Sequence, residues 1–529
     1  MDPEQPGVHN EPDRTHRVAG LYRSSRRPNV TIQGSPVTRD RLWTLLAVLL
    51  PVLGATIAPM SAVDLAYQVR AGDLMRASGT VLRTDPFTFT AAGQPWLNQQ
   101  WGTGVLLSLG YSAGGWAGLA LLRAVLVGLA VGILFSTARN WLPARPSAAL
   151  ALIAFVVGIG SLALRAQLFG IVCFVLVIAL LADRRRHPRL AFLVPLVVLA
   201  WANLHGSFFL GVGAATLAFL ADVREPRSTR LRCAAILALT AVASVVTPFG
   251  AGSWTYAVGL STNSNVARLV TEWQRTSPLS FDGALFYLTV VAAAIILAAA
   301  RRRQGRWPPL PSLLWLGGLV VVGAWAERGV VWWAFGVPVV LAPMLTGLVV
   351  RDGPANARAE PAALRRLNLG IGVVLALFIV VLQPIWRPSP SLAGPDGLLT
   401  DAPVGLAMML RSAGSPTDRV VVPQSWASWF EWAAPGIPVM VDSRIEVEPA
   451  SAWADYQVVA GGGPASLDTL ARAGATLLVV DRRDRGALFA TLEAPTSGWT
   501  VIAEDEDGAV LRRTPMAQRT AVGPTHQRP

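Results

Sequence analysis

The chain has 529 residues, of which 53% are hydrophobic and only 15% are charged, and its formal net charge is +13. Soluble domains carry about 25% charged residues, so this composition excludes an ordinary soluble protein and predicts a polytopic membrane protein. The positive charge comes from arginine alone, since the sequence contains no lysine. The arginines stand in short clusters between apolar runs, which is typical of membrane topology and not of nucleic-acid binding.

The first 41 residues are polar and contain several arginines and prolines, which predicts a disordered cytoplasmic tail. We interpret the first apolar run as an uncleaved anchor, because the tail is too long and too basic for a signal peptide. Apolar runs of about 17–25 residues, the length that crosses a bilayer, then follow along the chain. The predicted spans are 42–60, 116–138, 147–164, 166–182, 190–204, 206–222, 231–247, 284–300, 310–326, 330–350 and 368–385.

Arginine clusters orient these eleven runs. If the N-terminus is cytoplasmic, the clusters after residues 138, 183, 223, 300 and 350 all lie on the cytoplasmic side, as the positive-inside rule requires. This arrangement holds only if a further apolar stretch, 102–113, lies on the membrane and does not cross it. The sequence therefore predicts a multi-pass plasma-membrane protein whose C-terminal region is extracytoplasmic.

The predicted fold is mainly α, a polytopic transmembrane helical bundle over 42–386 whose first outer loop spans 61–115. Residues 387–514 are predicted to form a small extracytoplasmic α/β domain, and 515–529 a disordered tail. The elements expected in this domain are strands at 419–423, 439–441 and 475–480, helices at 425–432 and 466–473, and a hairpin over 501–513.

Unusual polar residues in the first outer loop fall on the predicted outer face. Residues 64–77 have helical spacing and suit a helix that lies in the membrane interface. Asp64 opens this helix, either as its N-cap or as a general base beside the bilayer. Asp85 precedes Pro86 and is either a turn initiator or a second functional carboxylate.

The later outer turns carry further candidates. Asn203 and His205 stand between two apolar runs, where polar groups by default mark a site, yet they also suit a tight hairpin. Arg165 is either a snorkelling end residue or a ligand for a lipid phosphate. Glu272 is either a solvated interfacial carboxylate or part of a site, and Glu327-Arg328 suits a local ion pair or turn.

Several function classes have no support in the sequence. It contains no glycine-rich nucleotide loop, no zinc-ligand spacing and no Gly-x-Ser-x-Gly motif. Cys173 and Cys233 both lie in apolar runs and cannot build a disulfide framework or a metal cluster. Ionisable residues are nearly absent from the spans, which argues against a proton- or ion-coupled transporter.

With these residues in order, the chain resembles the polytopic membrane glycosyltransferases of the GT-C fold, and more closely a bacterial branch of that fold. The resemblance covers residues 42–513, and its motifs are loose individually but specific in their succession. They are Asp64 with Gly72 and Gly79, Thr84-Asp85-Pro86-Phe87, Trp96-Leu97-Asn98-Gln99-Gln100-Trp101, Arg165-Ala166-Gln167, Trp201-Ala202-Asn203-Leu204-His205-Gly206, Thr247-Pro248-Phe249-Gly250, Glu272-Trp273, Val441-Asp442-Ser443-Arg444 and Trp453-Ala454-Asp455-Tyr456.

The resemblance implies inverting transfer of a sugar from a polyprenyl-phosphate donor, and it assigns roles by position. Asp64 is the expected general base on the acceptor hydroxyl, with Asp85 as a second catalytic carboxylate. Arg165, His205 and Asn203 are expected to bind the donor phosphate. The side chains expected to position the acceptor or an ion are Glu272, Asn98, Gln99, Asp442 and Arg444.

The chain departs from the resembled pattern at one single residue and at one pair of residues. Related sequences often carry a histidine where this chain has Gln68, and a His-Glu pair where it has Gln99-Gln100. These departures argue against a requirement for a divalent metal, and no other cofactor is expected.

Two functions are consistent with these features. The first is a glycosyltransferase whose partners are a polyprenyl-phosphate-linked sugar, membrane lipids and an envelope glycan, lipid or protein acceptor. The alternative is a non-catalytic membrane protein that binds or moves glycolipids. The departures favour the alternative, whereas Asp64, Asp85 and the 203–206 motif favour catalysis.

Overall fold

The computed structural model describes residues 37–514, apart from 264–265, 267, 269, 306, 347, 350–359 and 485–486. The predicted tails, except for residues 37–41, lie outside the described residues. Helices dominate up to residue 386. They are α1 (Arg39–Ile57), α2 (Ala62–Ser78), α3 (Trp101–Arg139), α4 (Ala144–Val157), α5 (Ala166–Ala182), α6 (Val194–Leu204), α7 (Phe209–Asp222), α8 (Arg227–Ala243), α9 (Gly252–Thr262), α10 (Phe281–Gln304), α11 (Leu310–Trp325), α12 (Val330–Leu345) and α13 (Ala362–Val381).

A helix occupies each predicted apolar run, and α10 shows the local signals that set its limits. Ser280 caps its first turn by accepting a hydrogen bond from the Gly283 N–H, and Asp282 favours the positive end of the helix dipole. The cations Arg301–Arg303 lie in the last turn, where the dipole is negative. Gly305 then ends the helix in the left-handed conformation at φ 71°.

Length separates the apolar helices into two groups. Five are long and apolar enough to cross a membrane by themselves, and six others are shorter apolar helices of 10–17 residues. The chain is therefore a multi-pass membrane protein with the predicted helical bundle, while the count of eleven spans stays a prediction. The five long helices are Arg39–Ile57, Trp101–Arg139, Phe281–Gln304, Glu327–Leu345 and Ala362–Val381.

A break inside α3 separates the predicted surface stretch 102–113 from the span that follows. Gly114 and Gly115 leave helical geometry, and Gly115 takes a φ of 58° that glycine adopts without a steric penalty. Gly104 and Ser108, before the break, lie against Gly72 of α2, whereas Arg123 and Gly128, after it, lie against Ala55 and Val52 of α1. The two parts of α3 are thus distinct helices that meet at a kink, as the sequence analysis divided them.

Arg123 explains why a charged residue lies in the middle of an apolar helix. It is buried in α3 and donates hydrogen bonds to the carbonyl oxygens of Ala55, at 2.6 Å, and Pro59, at 2.7 Å, and to that of Ala58. These carbonyls belong to the end of α1, where no further helical N–H is available to them. The guanidinium therefore fixes the junction from which α2 starts.

The C-terminal region combines short strands and helices. Its sheet has the order β3 (Val420–Val421), β4 (Leu477–Asp481), β6 (Gly508–Arg513), β5 (Trp499–Glu504), in which β3 and β4 run parallel and the other pairs antiparallel. A separate parallel pair joins β1 (Met60–Ser61) to β2 (Leu399–Thr400). The helices of this region are α14 (Val404–Ala413), α15 (Gln424–Ala433), α16 (Ala450–Gly461), α17 (Pro464–Arg472) and α18 (Ala487–Glu493).

Most predicted elements of this region are present, including the β5–β6 hairpin, α15, α17 and β4. The predicted strand at 439–441 is wrong. Val439 instead makes isolated bridges to Thr88 and Val420, so this segment joins the first outer loop to β3 without becoming a strand. Its apolar side chains are buried for that reason and not because they lie in a ladder.

The C-terminal region shares its core with the helical bundle. Trp426 and Trp429 of α15 are almost fully buried, and they belong to the same apolar core as Leu65 of α2 and Leu119 of α3. α15 packs directly on α2. The domain boundary near residue 387 stays a prediction, because no break in packing marks it within the described residues.

The close approach of α2 and α3 gives a test of this packing. A Cβ at Gly72 would overlap the Gly104 carbonyl oxygen and lie 2.7 Å from the Ser108 Cβ. We expect Gly72→Ala to destabilise the fold by about 3 kcal/mol, because two backbones would have to separate. Thermal unfolding of the purified protein in detergent measures this loss.

Gly213→Ala is the matched control, since Gly213 lies inside α7 with nothing within 4 Å of an added Cβ. Alanine is the better helix former, so this change is expected to be neutral or slightly stabilising. Equal melting temperatures for both variants would contradict the proposed α2–α3 contact.

Candidate active site

The turns predicted to share the outer face meet at one end of the bundle. The start of α3 holds the 203–205 turn, because Gln99 Nε2 donates to the Ala202 carbonyl at 2.8 Å and Trp101 Nε1 donates to Asn203 Oδ1 at 2.9 Å. Arg165 meets Asp64 of α2 at this same end, and Arg328 is joined to Arg165 through Glu272. The side of the membrane on which this end lies stays a prediction.

A cavity of about 540 Å³ opens where these turns meet the C-terminal region. The described residues that line it come from the first turns of α2, the loop before α5, α9, the 266–273 segment, the turn before α12 and the segment 443–457. Four charged side chains that face one another on its wall are Asp64, Arg165, Glu272 and Arg328. We refer to this space as the cavity.

The carboxylate of Glu272 bridges two arginines. Its Oε1 lies 2.7 Å from Arg165 Nη1, and its Oε2 lies 3.7 Å from Arg328 Nε. Burial opposes ionisation of Glu272, but the charges of Arg328 and Arg165 outweigh burial and lower its pKa. Two guanidinium groups that converge on one carboxylate form an anion-binding arrangement.

Asp64 completes this group from the first turn of α2. Its Oδ2 lies 3.6 Å from Arg165 Nη1, and the side chain is half-buried in the cavity wall. The N-cap reading of Asp64 is wrong, because Ser61 caps α2 by accepting from the Val63 N–H. The carboxylate therefore has no capping hydrogen bond to break, although the positive end of the helix dipole favours its charge.

Arg328 is a cavity residue that the sequence analysis did not select. It was read as a local ion pair with Glu327, yet Glu327 accepts from Ser280 and Arg328 reaches the cavity instead. Gln167 holds Arg328 there through two hydrogen bonds of 3.2 Å. Gln167 Nε2 donates to the Arg328 carbonyl, and Arg328 Nε donates to Gln167 Oε1. The Trp273 ring adds a cation–π contact at 5.6 Å. In the sequence, only the Arg165-Ala166-Gln167 motif pointed to the contact between Gln167 and Arg328.

Arg444 lies at the base of the cavity, in a buried ion-pair cluster. Its Nη2 lies 2.6 Å from Asp85 Oδ1 and also pairs with Asp442 Oδ2. Burial opposes ionisation of Asp442, but the charge of Arg444 and its hydrogen bonds outweigh burial and lower the pKa of Asp442. Rings surround the guanidinium within 4.5–5.5 Å, and they belong to Tyr67, Phe87 and Trp96.

The predicted catalytic role of Asp85 is corrected by this arrangement. Asp85 is buried and does not line the cavity. Its oxygens accept from the backbone N–H groups of Phe87 and Thr88 and from the Thr88 hydroxyl, in addition to pairing with Arg444. The turn reading fits these contacts. Asp442 is likewise buried against Arg444, so of this pair only Arg444 faces the cavity.

Asn203 and His205 also require correction, because neither lines the cavity. Asn203 Nδ2 donates to the Leu199 and Val246 carbonyls, and His205 Nδ1 lies 2.6 Å from Ser207 Oγ. Burial, followed by the charges of Arg328 and Arg165, lowers the pKa of His205 well below its usual value. A neutral, buried imidazole is a poor ligand for a phosphate, so these two residues hold the turn.

Two further cavity residues were missed in the sequence. The hydroxyl of Tyr256 in α9 donates to Glu446 Oε1 at 2.7 Å, and both side chains line the cavity. Burial raises the pKa of Glu446, and the hydrogen bond from Tyr256 offsets only part of this effect. Neither residue stands in a polar pattern along the chain, so only the folded arrangement identifies them.

No metal-ligand set is present in the part of the chain that the structure describes, since nowhere in it do three His, Cys, Asp or Glu side chains stand close enough to hold an ion. Asn98 and Gln99, expected to position an acceptor or an ion, lie in a narrow recess beside the cavity.

Comparisons with known proteins bear on the fold. Neither a protein-family model nor a curated protein matches the sequence. Among solved structures, the arabinofuranosyltransferase AftD from Mycobacteria (mutant R1389S) matches with a TM-score of 0.55 at 18% identity, over 91% of this chain and 42% of AftD. The chain thus spans about two fifths of the length of AftD.

Two structures of ArnT from Cupriavidus metallidurans also match, but more weakly. The apo form gives a TM-score of 0.49 at 17% identity, over 91% of this chain and 98% of ArnT. The form bound to undecaprenyl phosphate gives 0.47 at 18% identity, over 88% and 97%. At the level of the fold the predicted resemblance is confirmed through AftD: this chain has the GT-C fold.

The carboxyls around Arg444 predict a pH dependence of stability. Burial, reinforced by the charge of Asp442, raises the pKa of Glu448 to about 10, and neither of its oxygens has a hydrogen-bond partner among the described residues. Unfolding then releases a proton between the unfolded pKa, about 4.3, and about 10. The stability contributed by the folded carboxyl is present at low pH and is lost as pH rises through this window.

Glu448→Gln removes the titrating carboxyl group. We therefore expect the free energy of unfolding of this variant to rise relative to that of the wild type as pH rises, by up to about 1.4 kcal/mol per pH unit. Melting temperatures at pH 5.5 and pH 8.5 measure the gap. Glu493→Gln, at an exposed position of α18, is the control and should show no such trend. A Glu448→Gln advantage that is the same at both pH values would contradict the buried neutral carboxyl.

Proposed function

We propose that this chain is an inverting membrane glycosyltransferase that moves a sugar from a polyprenyl-phosphate donor to an envelope acceptor. The observation that carries the proposal is the cavity in which Glu272 bridges Arg165 and Arg328 beside Asp64. Two arginines that suit an anion thus lie beside the Asp64 carboxylate, and such a transfer needs both kinds of group. The shared GT-C fold with AftD, an arabinofuranosyltransferase, supports the same reaction class.

Arg165 and Arg328 would bind the donor phosphate. When the sugar–phosphate bond breaks, the leaving polyprenyl phosphate gains negative charge, and preorganised cations stabilise that charge. The Glu272 carboxylate now occupies the position between the two guanidinium groups. A phosphate also presents two oxygens to a pair of guanidinium groups, so it would take the place of the Glu272 carboxylate between them.

Asp64 would act as general base. In an inverting displacement the acceptor oxygen attacks the anomeric carbon from the side opposite the phosphate, so base and phosphate site must lie within about one sugar ring of each other. Asp64 and Arg165 are close enough for this, since Asp64 Oδ2 lies 3.6 Å from Arg165 Nη1. Asp64 accepts the hydroxyl proton, the new glycosidic bond forms, and the old carbon–oxygen bond breaks with its electron pair on the phosphate.

The donor class follows from the proposed orientation. With the N-terminus cytoplasmic and the C-terminal region extracytoplasmic, the cavity lies outside the cytoplasm, where nucleotide sugars are not available. A transferase at that face needs a donor carried by a membrane lipid. The acceptor is an envelope glycan, lipid or protein, and the alternative of a non-catalytic glycolipid-binding protein becomes an outcome of the test that follows.

The native host with this gene deleted provides that test. Complementation with wild type is expected to restore the missing envelope glycan, whereas Asp64→Asn at matched protein levels restores none of it, because the general base is lost. A general base typically contributes a factor of about 10²–10⁴ in rate. Mass spectrometry of polyprenyl-phosphate sugars and envelope glycans reads out both the lost product and the accumulated donor.

Asp73→Asn is the matched control, since Asp73 lies on the same helix, accepts from Ser108 and does not line the cavity. It is expected to restore the glycan. If Asp64→Asn restores the glycan as fully as wild type, Asp64 is not the base. The non-catalytic alternative would then account for the chain better.

A further inference from the structure

A narrow recess extends from the base of the cavity along α2. Its volume is about 30 Å³, enough for about two water-sized groups. Recess and cavity share several lining residues, so the two spaces adjoin. The shared residues are Tyr67, Gln68, Gln100, Tyr256, Arg444 and Glu446.

Three buried polar atoms on the lining residues of the recess lack a hydrogen-bond partner among the described residues. They are Gln68 Oε1, Gln99 Oε1 and Arg444 Nη1, and their residues are 5%, 2% and 3% exposed. An unpartnered buried polar atom costs roughly 1–3 kcal/mol, and three of the residues that line this one small space each carry such an atom, which favours a ligand there. All three belong to side chains that are otherwise held in place.

Hydrogen bonds and ion pairs fix these side chains before any ligand arrives. Gln68 Nε2 donates to Gln100 Oε1 at 3.2 Å, and Gln99 Nε2 donates to the Ala202 carbonyl at 2.8 Å. Asp85 and Asp442 hold Arg444 from the other side. The residues of the recess thus carry two unpartnered acceptors and one unpartnered donor on side chains that are already fixed, and such preorganisation favours specific binding.

Hydroxyl groups match this set of atoms. A hydroxyl donates one hydrogen bond and accepts others, so two hydroxyls can donate to the two amide oxygens while one accepts from Arg444 Nη1. A carboxylate has no proton for the amide oxygens, and an ammonium group would be repelled by Arg444. The chemistry of the recess therefore favours a neutral, hydroxyl-bearing group.

The position of the recess relative to Asp64 fits one sugar ring. Asp64 and Gln68 are four residues apart on α2, so they lie on the same face about one turn, or 5.4 Å, apart. Ala71 and Met75 continue this face into the recess. A ring whose anomeric carbon lies beside Asp64 and Arg165 would reach the recess with its distant hydroxyls.

We propose that this recess is the subsite that recognises two hydroxyl groups of the donor sugar, with Gln68, Gln99 and Arg444 as its specificity-determining residues. It selects a neutral sugar over a uronic acid or an amino sugar. This inference rests on the proposed function, since it takes the sugar to be carried by a lipid phosphate bound at Arg165 and Arg328.

The test measures dissociation constants of short donors for the full chain in lipid nanodiscs. The probes are farnesyl phosphate and its esters with glucose, mannose, ribofuranose, arabinofuranose, glucuronic acid and glucosamine. We expect at least one neutral-sugar ester to bind the wild type ten-fold or more tightly than farnesyl phosphate, and the two charged-sugar esters to lack this advantage. Sites that hydrogen-bond a hydroxyl discriminate strongly against ligands that lack it.

Gln68→Leu and Gln99→Met are expected to reduce that ten-fold advantage to less than two-fold. Their dissociation constants for farnesyl phosphate should stay within two-fold of wild type, which also shows that the variants are folded. Gln94→Leu is the matched control, because Gln94 is an exposed glutamine of the same loop, and it should keep the full advantage.

Three results would overturn the proposal: no neutral-sugar ester exceeds farnesyl phosphate, a charged-sugar ester binds as well as the best neutral one, or both recess variants keep the advantage. The last result would indicate a recess that holds only water. Failure of the proposed function is distinct, because then farnesyl phosphate would not bind at all, or would bind Arg165→Gln as well as wild type.

Discussion

The buried contact of Arg444 with Asp85 and Asp442 is the interaction on which the candidate site depends. It joins the loop after α2 to the C-terminal region, and each of those two parts lines a different side of the cavity and recess. A buried guanidinium is costly unless its partners satisfy it, and here two carboxylates and a surround of aromatic rings do so. The one nitrogen left over, Nη1, belongs to a residue that lines the recess. Arg444 therefore both joins the two parts of the fold and lines the proposed sugar subsite.

Charge in the cavity is balanced before any ligand binds. Arg165 and Arg328 face Glu272 and Asp64, so the empty site carries no large excess of either sign. A phosphate that displaces Glu272 from between the two arginines adds negative charge and leaves the Glu272 carboxylate in the cavity. The neighbouring recess is different in kind, because four amide side chains line it and the proposed selectivity there comes from hydrogen bonds together with the charge of Arg444.

The sequence predicted the helices well because each apolar run is a local signal that tertiary packing does not reverse. It also selected Asp64, Arg165 and Glu272, since charged residues beside a bilayer are rare enough to stand out. Arg444 was selected only through the resemblance to the GT-C fold. It failed where the deciding fact is the direction of a side chain. His205 looked functional but points into a packed turn, and Arg328 looked paired with its neighbour but reaches the cavity. The amides of the recess carry no charge signal, so only folding brings them together.

A structure of the full chain with undecaprenyl phosphate, determined by cryo-electron microscopy in nanodiscs, would test the central claim most directly. The account predicts phosphate density within hydrogen-bond distance of the Arg165 and Arg328 guanidinium groups, with the Glu272 carboxylate displaced from between them. Phosphate density at the arginine-lined pocket formed by Arg39, Arg139 and Arg145, with Glu272 still bridging its two partners, would contradict it.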